Sequence, residues 1–303
     1  MGIVVVGSVA LDSVKTPFDS EEEILGGSAT FFSVAASYFT QVSIVAVVGD
    51  DFPEQHIAFF HRKGIDTSGL HRRPGKTFRW KGEYGYDLNV AKTLETQLNV
   101  FAEFVPRIRP EHRKSPLVFL GNIDPDLQRS VLEQMDRPRW VVCDTMNYWI
   151  ERTRPSLLRT LSMVDILIIN DAEVRQLAEE PNLFRAAQKV RTLGPEILVV
   201  KRGEYGALMF DGAVLFGIPA FPIEKVVDPT GAGDSFAGGF CGYLAARETA
   251  DDAALRRAVA YGSVMASFNV SAFGPKRLGD LTYTEIQDRF REFRRYTYFD
   301  NLE

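Results

Sequence analysis

The stretch Val227-Asp228-Pro229-Thr230-Gly231-Ala232-Gly233-Asp234-Ser235-Phe236-Ala237-Gly238-Gly239-Phe240 is the most informative part of the chain. Its first half is made of residues that let a backbone turn tightly and approach a ligand closely. Its second half is small and apolar enough to run on as a buried helix. A helix opening at Gly231, Ala232 and Gly233 would present unpaired N–H groups, a setting that favours an anion. Asp234 falls in the same turn, where a carboxylate can take the proton of a hydroxyl attacking a bound phosphate. On its own, the stretch reads equally well as a plain glycine turn with Asp234 as an ordinary first-turn acid.

Upstream, short β-branched runs alternate with helical segments, as a parallel α/β sheet requires. The runs are Ile3–Val6, Ser43–Val48, Leu117–Leu120, Trp140–Val142, Ile166–Ile169 and Ile197–Lys201. They are continuously apolar, which predicts strands buried on both faces. Helical spacing falls in Ala29–Phe39, Pro53–Lys63, Pro125–Met135, Asp171–Glu179 and Asn182–Leu193. Downstream, Asp251 and Asp252 cap a helix predicted to reach Asn269, and Ile286, Phe290 and Phe293 mark an amphipathic C-terminal helix.

One region breaks this rhythm. From Thr77 to Phe104, alternation with aromatics predicts exposed antiparallel strands around a polar turn at Asp87-Leu88-Asn89. Together with residues 12–24 it reads as a small β lid inserted in the N-terminal half of a single domain spanning 1–303. Its aromatic surface, Phe78, Trp80, Tyr84 and Tyr86, predicts closure over a ligand, burial against a second copy in a homodimer, or both.

Composition narrows the function classes without choosing among them. A chain of 303 residues sits at the upper end of what one hydrophobic core supports. With 40 acidic against 35 basic residues and a net charge of −5, no positive excess advertises nucleic-acid or membrane binding. The two cysteines, Cys143 and Cys241, lie in apolar stretches without metal-ligand spacing. The first residues lack the basic start of a signal peptide, and no apolar run suits a membrane helix, so a cytoplasmic protein is expected. The Asn269 sequon reads as chance.

Several lesser signals are bland. Gly69 and Gly75-Lys76-Thr77 imitate a P-loop, but the glycine spacing is wrong and a strand-like run follows. His56, His61, His71 and His112 read as surface residues, and Glu21-Glu22-Glu23 as solvated. Arg72, Arg73, Lys76 and Arg79 form a solvated face or, in a lid, an anion screen. Phe32, Tyr38 and Phe39 belong to the core, leaving Phe31 as that helix's ligand contact.

The run from Asp228 to Phe236 resembles the C-terminal signature of the ribokinase-like, or PfkB, carbohydrate kinase family. Gly26-Gly27-Ser28-Ala29 opening a helix, Gly49-Asp50-Asp51 after a strand, and Asn170-Asp171-Ala172-Glu173 stand where that family has its other landmarks. The resemblance covers essentially the whole chain. It implies a three-layer α/β/α sandwich with a mostly parallel sheet, and ATP-dependent transfer to an exocyclic hydroxyl of a small sugar.

It also implies roles. Asp234 is the base, and Gly231, Ala232 and Gly233 supply the anion hole. Asn170 and Glu173 organise Mg²⁺ through water, and Lys201, Gly203 and Gly206 line the nucleotide. Asp228 and the Thr230 carbonyl resemble part of a monovalent-cation (K⁺) site, with further carbonyls at Asn269, Ala272 and Gly274. Leu278 stands where a family side chain can complete that site. On the substrate side are Asp12, Gly26, Gly27, Phe31, Asp124, Phe78 and Trp80.

Ala10 and Phe31 stand where many members carry Asn, so two polar sugar contacts are replaced by apolar groups and Asp124 is a candidate compensating acid. That replacement keeps a nucleoside kinase open as the alternative. A ligand sensor without catalysis is the third reading.

Overall fold

The computed structural model describes residues 2–247 and 249–298. Its strands in chain order are β1 (Ile3–Val6), β2 (Ala10–Lys15), β3 (Ser20–Gly26), β4 (Val42–Gly49), β5 (Ile65–Arg73), β6 (Arg79–Tyr84) and β7 (Ala91–Gln97). There follow β8 (Leu117–Leu120), β9 (Trp140–Cys143), β10 (Ile166–Asn170), β11 (Ile197–Lys201), β12 (Ala207–Asp211) and β13 (Val214–Ile218). Nine of them form one sheet in the order β13-β12-β11-β10-β9-β8-β1-β4-β5. It is parallel from β11 to β5 and antiparallel only where β12 and β13 extend one edge.

Each parallel strand feeds two cores, because successive side chains point to opposite faces. Ile3, Val5, Ile44, Phe119, Ile168 and Val199 face one way, where the helices Ser28–Ala36, Ala232–Ala245 and Asp252–Asn269 cover them. Val4, Val6, Val45, Leu120, Ile169 and Val200 face the other way, under the helices Pro125–Leu132, Arg154–Leu161, Asp171–Ala178 and Leu183–Arg191. Phe32 stacks on Phe119 at 4.1 Å between centroids, locking the glycine-led helix to the sheet centre. The result is the three-layer α/β/α sandwich.

The continuously apolar runs all became central strands. The sequence does not mark β5, β12 and β13: the edge strands β5 and β13 are half exposed, and β12, though mostly buried, is broken by polar and glycine positions at both ends. The segment from Asn99 to Glu103 is a 3₁₀ turn rather than strand, so the antiparallel reading of Thr77–Phe104 holds only to Gln97. The expectation that all four histidines lie at the surface needs correction. His56 and His112 are half-buried, and His112 lies 2.9 Å from Asp66.

The remaining strands make a second, four-stranded sheet in the order β3-β2-β6-β7. Its base is pinned by Asp51, whose Oδ1 accepts from the Thr77 N–H and Oγ1 at 2.7 Å each, while Oδ2 meets Arg79 at 2.8 Å. One face carries mutually paired charges: Lys15 with Glu83, Arg79 with Glu23 and Lys81 with Glu22. The other places Val14 and Tyr84 against Phe273 of the main body, with Trp80, Leu88 and Val227 packed around them. Among the described residues, no helix is long and apolar enough to cross a membrane.

Candidate active site

Ligands of open α/β sheets gather where parallel strands end at their carboxyl termini. Here β9 ends just before Asp144, β10 ends on Asn170 and β11 ends on Lys201. Register places Asn170 directly beside Lys201. Lys201 Nζ lies 3.5 Å from Asp144 Oδ2, with the two side chains only 17% and 9% exposed. Asp144 was not singled out from sequence; a carboxylate ending a strand carries no local pattern.

Above this floor sits the glycine turn. Gly231 has φ +74°, a conformation open to glycine, and caps the helix Ala232–Ala245. The Lys201 ammonium lies against this turn: a Cβ on Gly233 would fall 2.9 Å from it. The Gly233 N–H has no hydrogen-bond partner among the described residues, as a first-turn donor left for an anion should not. Asp234 is half-buried in the same turn. Burial, and next the Asp144 charge, push its carboxyl up to about 7, against the pull of Lys201. Glu173 is likewise pushed up to about 7, by burial first and Asp144 second. Burial disfavours the Lys201 ammonium, but the carboxylates of Asp144, Glu173 and Asp234 outweigh it and raise its pKa.

Asn170 and Glu173 form a capping box on the helix Asp171–Ala178. Asn170 accepts from the Glu173 N–H at 2.8 Å, and Glu173 Oε2 accepts from the Asn170 N–H at 3.1 Å. That bond is sufficient reason for the pattern on its own, and it also fixes the Glu173 carboxylate at the cleft. Asp144, Glu173 and Asp234 around one ammonium leave uncompensated negative charge that a divalent cation would relieve. No group of three such side chains among the described residues forms a direct metal cage. A Mg²⁺ held here would therefore keep most of its shell as water and phosphate oxygen, the habit of that ion.

Past β1, the loop at Ser8 is tied to the start of the glycine-led helix by reciprocal bonds, Ser8 N–H to Ser28 Oγ at 3.1 Å and Ser28 N–H to Ser8 Oγ at 3.0 Å. Asp12 is 4% exposed beside Gly26, where a Cβ would fall 1.8 Å from its Oδ2. Burial lifts its carboxyl to about 7 despite a bond from the Gly27 N–H. Trp80 is the register partner of Asp12 across β2 and β6. Tyr84, further along β6, reaches Thr230, whose Oγ1 lies 3.2 Å from its hydroxyl.

Other sequence candidates stand differently. Phe31 is 2% exposed with its ring under Gly231, so it floors the turn. Asp124 caps the helix Pro125–Leu132, one oxygen accepting from the Asp126 N–H at 2.7 Å. Phe78 precedes β6 and stacks on Phe101 at 5.2 Å, outside the inner face that holds Trp80 and Tyr84. Tyr86 is 92% exposed. Gly203 and Gly206 shape the β11–β12 loop with φ of +54° and +87°. Asp228 accepts from the Thr230 N–H at 2.8 Å and the Gly274 N–H at 3.2 Å, and the Thr230 carbonyl accepts from Asn269 Nδ2 at 2.7 Å. Asn269 is thus buried, its amide engaged by that carbonyl.

Known proteins resemble the chain along most of its length. The profile of the pfkB family carbohydrate kinases matches residues 3–278. A cytidine kinase of Thermococcus kodakarensis is 30% identical over 253 residues, covering 82% of this chain and 90% of its own length. The solved nucleoside kinase of Methanocaldococcus jannaschii superposes with a TM-score of 0.77 at 20% identity, covering 96% of this chain and 99% of that one. The Arabidopsis thaliana ribokinase complexed with ribose and ATP gives 0.77 at 17% identity, over 96% and 98% of the two chains.

Proposed function

Because the chain belongs to the pfkB family of carbohydrate kinases, we propose that it transfers the terminal phosphoryl group of ATP to an exocyclic hydroxyl of a ribose-containing acceptor, and that the acceptor is a nucleoside. The observation that carries the kinase reading is the meeting of Asp234, Lys201 and the unpaired Gly233 N–H at one helix terminus. Asp234 takes the proton of the acceptor hydroxyl. Its raised pKa makes it a stronger base than a solvated carboxylate, with a substantial ionised fraction still present at neutral pH. The N–H groups of the Gly231–Gly233 turn, with the Lys201 ammonium beside them, hold the charge that develops on the moving phosphoryl oxygens. Asn170 and Glu173 would hold Mg²⁺ through water. Once bound, that ion neutralises the nucleotide phosphates. Asp12 receives acceptor hydroxyls, which return hydrogen bonds that burial has taken from it.

The nucleoside reading is supported by Trp80 beside Asp12, a stacking surface next to a hydroxyl-binding carboxylate, and by the apolar Ala10 and Phe31. A free sugar remains the second reading, since Asp12 alone would hold a furanose. The small sheet acts as a lid in cis, because its aromatic inner face is turned onto its own chain and its outer face neutralises its own charges. That arrangement favours a gate over a homodimer clasp. The K⁺ expectation fits the residues poorly: Asp228 and the Thr230 carbonyl are already tied to Gly274, Thr230 and Asn269, and Leu278 is fully buried in the core.

The test is a panel of cytidine, adenosine, inosine, ribose and fructose with ATP and Mg²⁺. A kcat/KM for some nucleoside at least about tenfold above ribose is expected, about 1.4 kcal/mol of transition-state preference. A free sugar outrunning every nucleoside would overturn the acceptor assignment. Binding without turnover across the panel would overturn the kinase.

A further inference from the structure

The turn joining β6 to β7 crosses the cleft and touches its opposite wall. Asn89 Oδ1 accepts from the Glu204 N–H at 3.3 Å, and Asn89 Nδ2 donates to Glu204 Oε1 at 3.4 Å. The approach is close, since a Cβ built on Gly203 would fall 1.8 Å from Asn89 Oδ1. Gly203 therefore answers to two demands, a φ of +54° and room for another residue's amide. Asn89 is aimed by its own turn. Asp87 Oδ1 accepts from its backbone N–H at 3.0 Å and from its Nδ2 at 3.2 Å. Beside it, half-buried Leu88 packs in the Val14–Tyr84–Phe273 cluster and pins the tip down. A loop tip that only shielded the acceptor would not need to reach the β11–β12 loop at all.

We infer that Asn89 is a positioning residue that couples descent of the small sheet to the nucleotide loop Gly203–Gly206, so that acceptor and nucleotide each strengthen the binding of the other. The inference rests on the kinase reading and deepens it. Asn89 can meet Glu204 only with the sheet down. An acceptor lying under Trp80 and Tyr84 favours that state. In the same state the loop after β11 is fixed by a bond it otherwise lacks, so a nucleotide ordering that loop finds part of the work done. Linkage requires the effect to be reciprocal. Were Asn89 instead a plug occupying the nucleotide's place, the sign would reverse and nucleotide would bind better without it.

The full-length protein and its Asn89→Ala and Glu204→Gln variants are compared by calorimetric titration of MgADP, alone and with the panel acceptor of highest kcat/KM at saturation. Wild type is expected to bind MgADP at least about fivefold tighter with acceptor present, the lower range of ordinary couplings. Asn89→Ala should bring that ratio to within about twofold of unity and raise the KM of both substrates. Glu204→Gln keeps both the backbone N–H and an acceptor oxygen toward Asn89, and should keep most of the ratio. No coupling in wild type, full coupling in Asn89→Ala, or tighter acceptor-free MgADP binding by that variant would each overturn the proposal. These outcomes leave the kinase reading intact, which stands or falls on turnover of the panel by wild type.

Discussion

The ring of Phe31 lies flat against the backbone of Gly231: a Cβ on that glycine would meet three ring carbons at 2.3 to 2.5 Å. The helix opened by Gly27 thereby seats the turn opened by Gly231. Gly231→Ala must accept both this overlap and a positive φ of 74°. Overpacking costs roughly 1–3 kcal/mol and a left-handed alanine roughly 1–2. Chemical denaturation should show a loss in that summed range. Adding Phe31→Ala relieves the overlap but leaves the strain and empties a buried aromatic site, itself a loss of about 3–5 kcal/mol, so the overlap should show as a double variant less destabilised than the sum of the two single changes.

Asp234→Asn preserves shape but removes the proton acceptor. A kcat loss of about two to four orders of magnitude is expected, with MgADP affinity little changed. Near-normal turnover would remove Asp234 from its role.

Glu173→Gln separates two duties of one side chain. Gln can keep the capping box with Asn170, so stability should hold. The lost charge should raise the Mg²⁺ concentration needed for half-maximal rate. A Mg²⁺ titration overlaying wild type would reduce Glu173 to a helix cap.

Asp12 should make the fold less stable as pH rises. Its carboxyl goes from 3.8 to about 7 on folding, chiefly through burial. The native state thus holds a proton that the unfolded chain releases, and stability falls across the window from 3.8 to about 7. Each unit is worth about 1.4 kcal/mol, so the ceiling is roughly 4 kcal/mol, complete above the upper limit. Asp12→Asn should therefore unfold at a higher temperature than wild type at pH near 8 while losing acceptor affinity, and the gap should close toward pH near 4. An equal gap at both values would show that Asp12 is ionised throughout.

Trp80→Ala tests the small sheet as a gate. A raised acceptor KM and faster ATP hydrolysis without acceptor are expected, with the mass in solution unchanged. A drop in mass would mark an interface between copies, and a variant unchanged in every respect would leave Trp80 without a role.

What the sequence revealed followed from how many neighbours a residue's role involves. β1, β8, β10 and β11 are legible because burial on both faces demands unbroken apolar runs. The Gly231 turn and the Asn170/Glu173 box are legible because their geometry is local. Asp144 is not, since its importance comes from β9 lying one strand away from β10 and two from Lys201. Asn89 reads as a turn residue and becomes more only because the turn lands on Glu204, 115 positions onward. Phe78 shares the alternation of Trp80, yet the strand begins one residue later, at Arg79, and its ring turns to Phe101.

The two faces of the small sheet differ in what water can do to them. The charged outer face, with Lys15, Glu83, Lys81 and Glu22, is solvated whether the sheet is raised or lowered. Only the inner patch of Val14, Tyr84 and Phe273, with Leu88 at its margin, changes its hydration. The barrier to lifting the sheet is then set by wetting those side chains and by parting the few polar links to the main body, Tyr84 to Thr230, Asn89 to Glu204 and Glu21 to Lys276, rather than by the ion pairs within the outer face. For the proposed kinase, release of phosphorylated product past this patch is then expected to respond both to the size of the residue at Val14 and, through the Glu21–Lys276 pair, to salt.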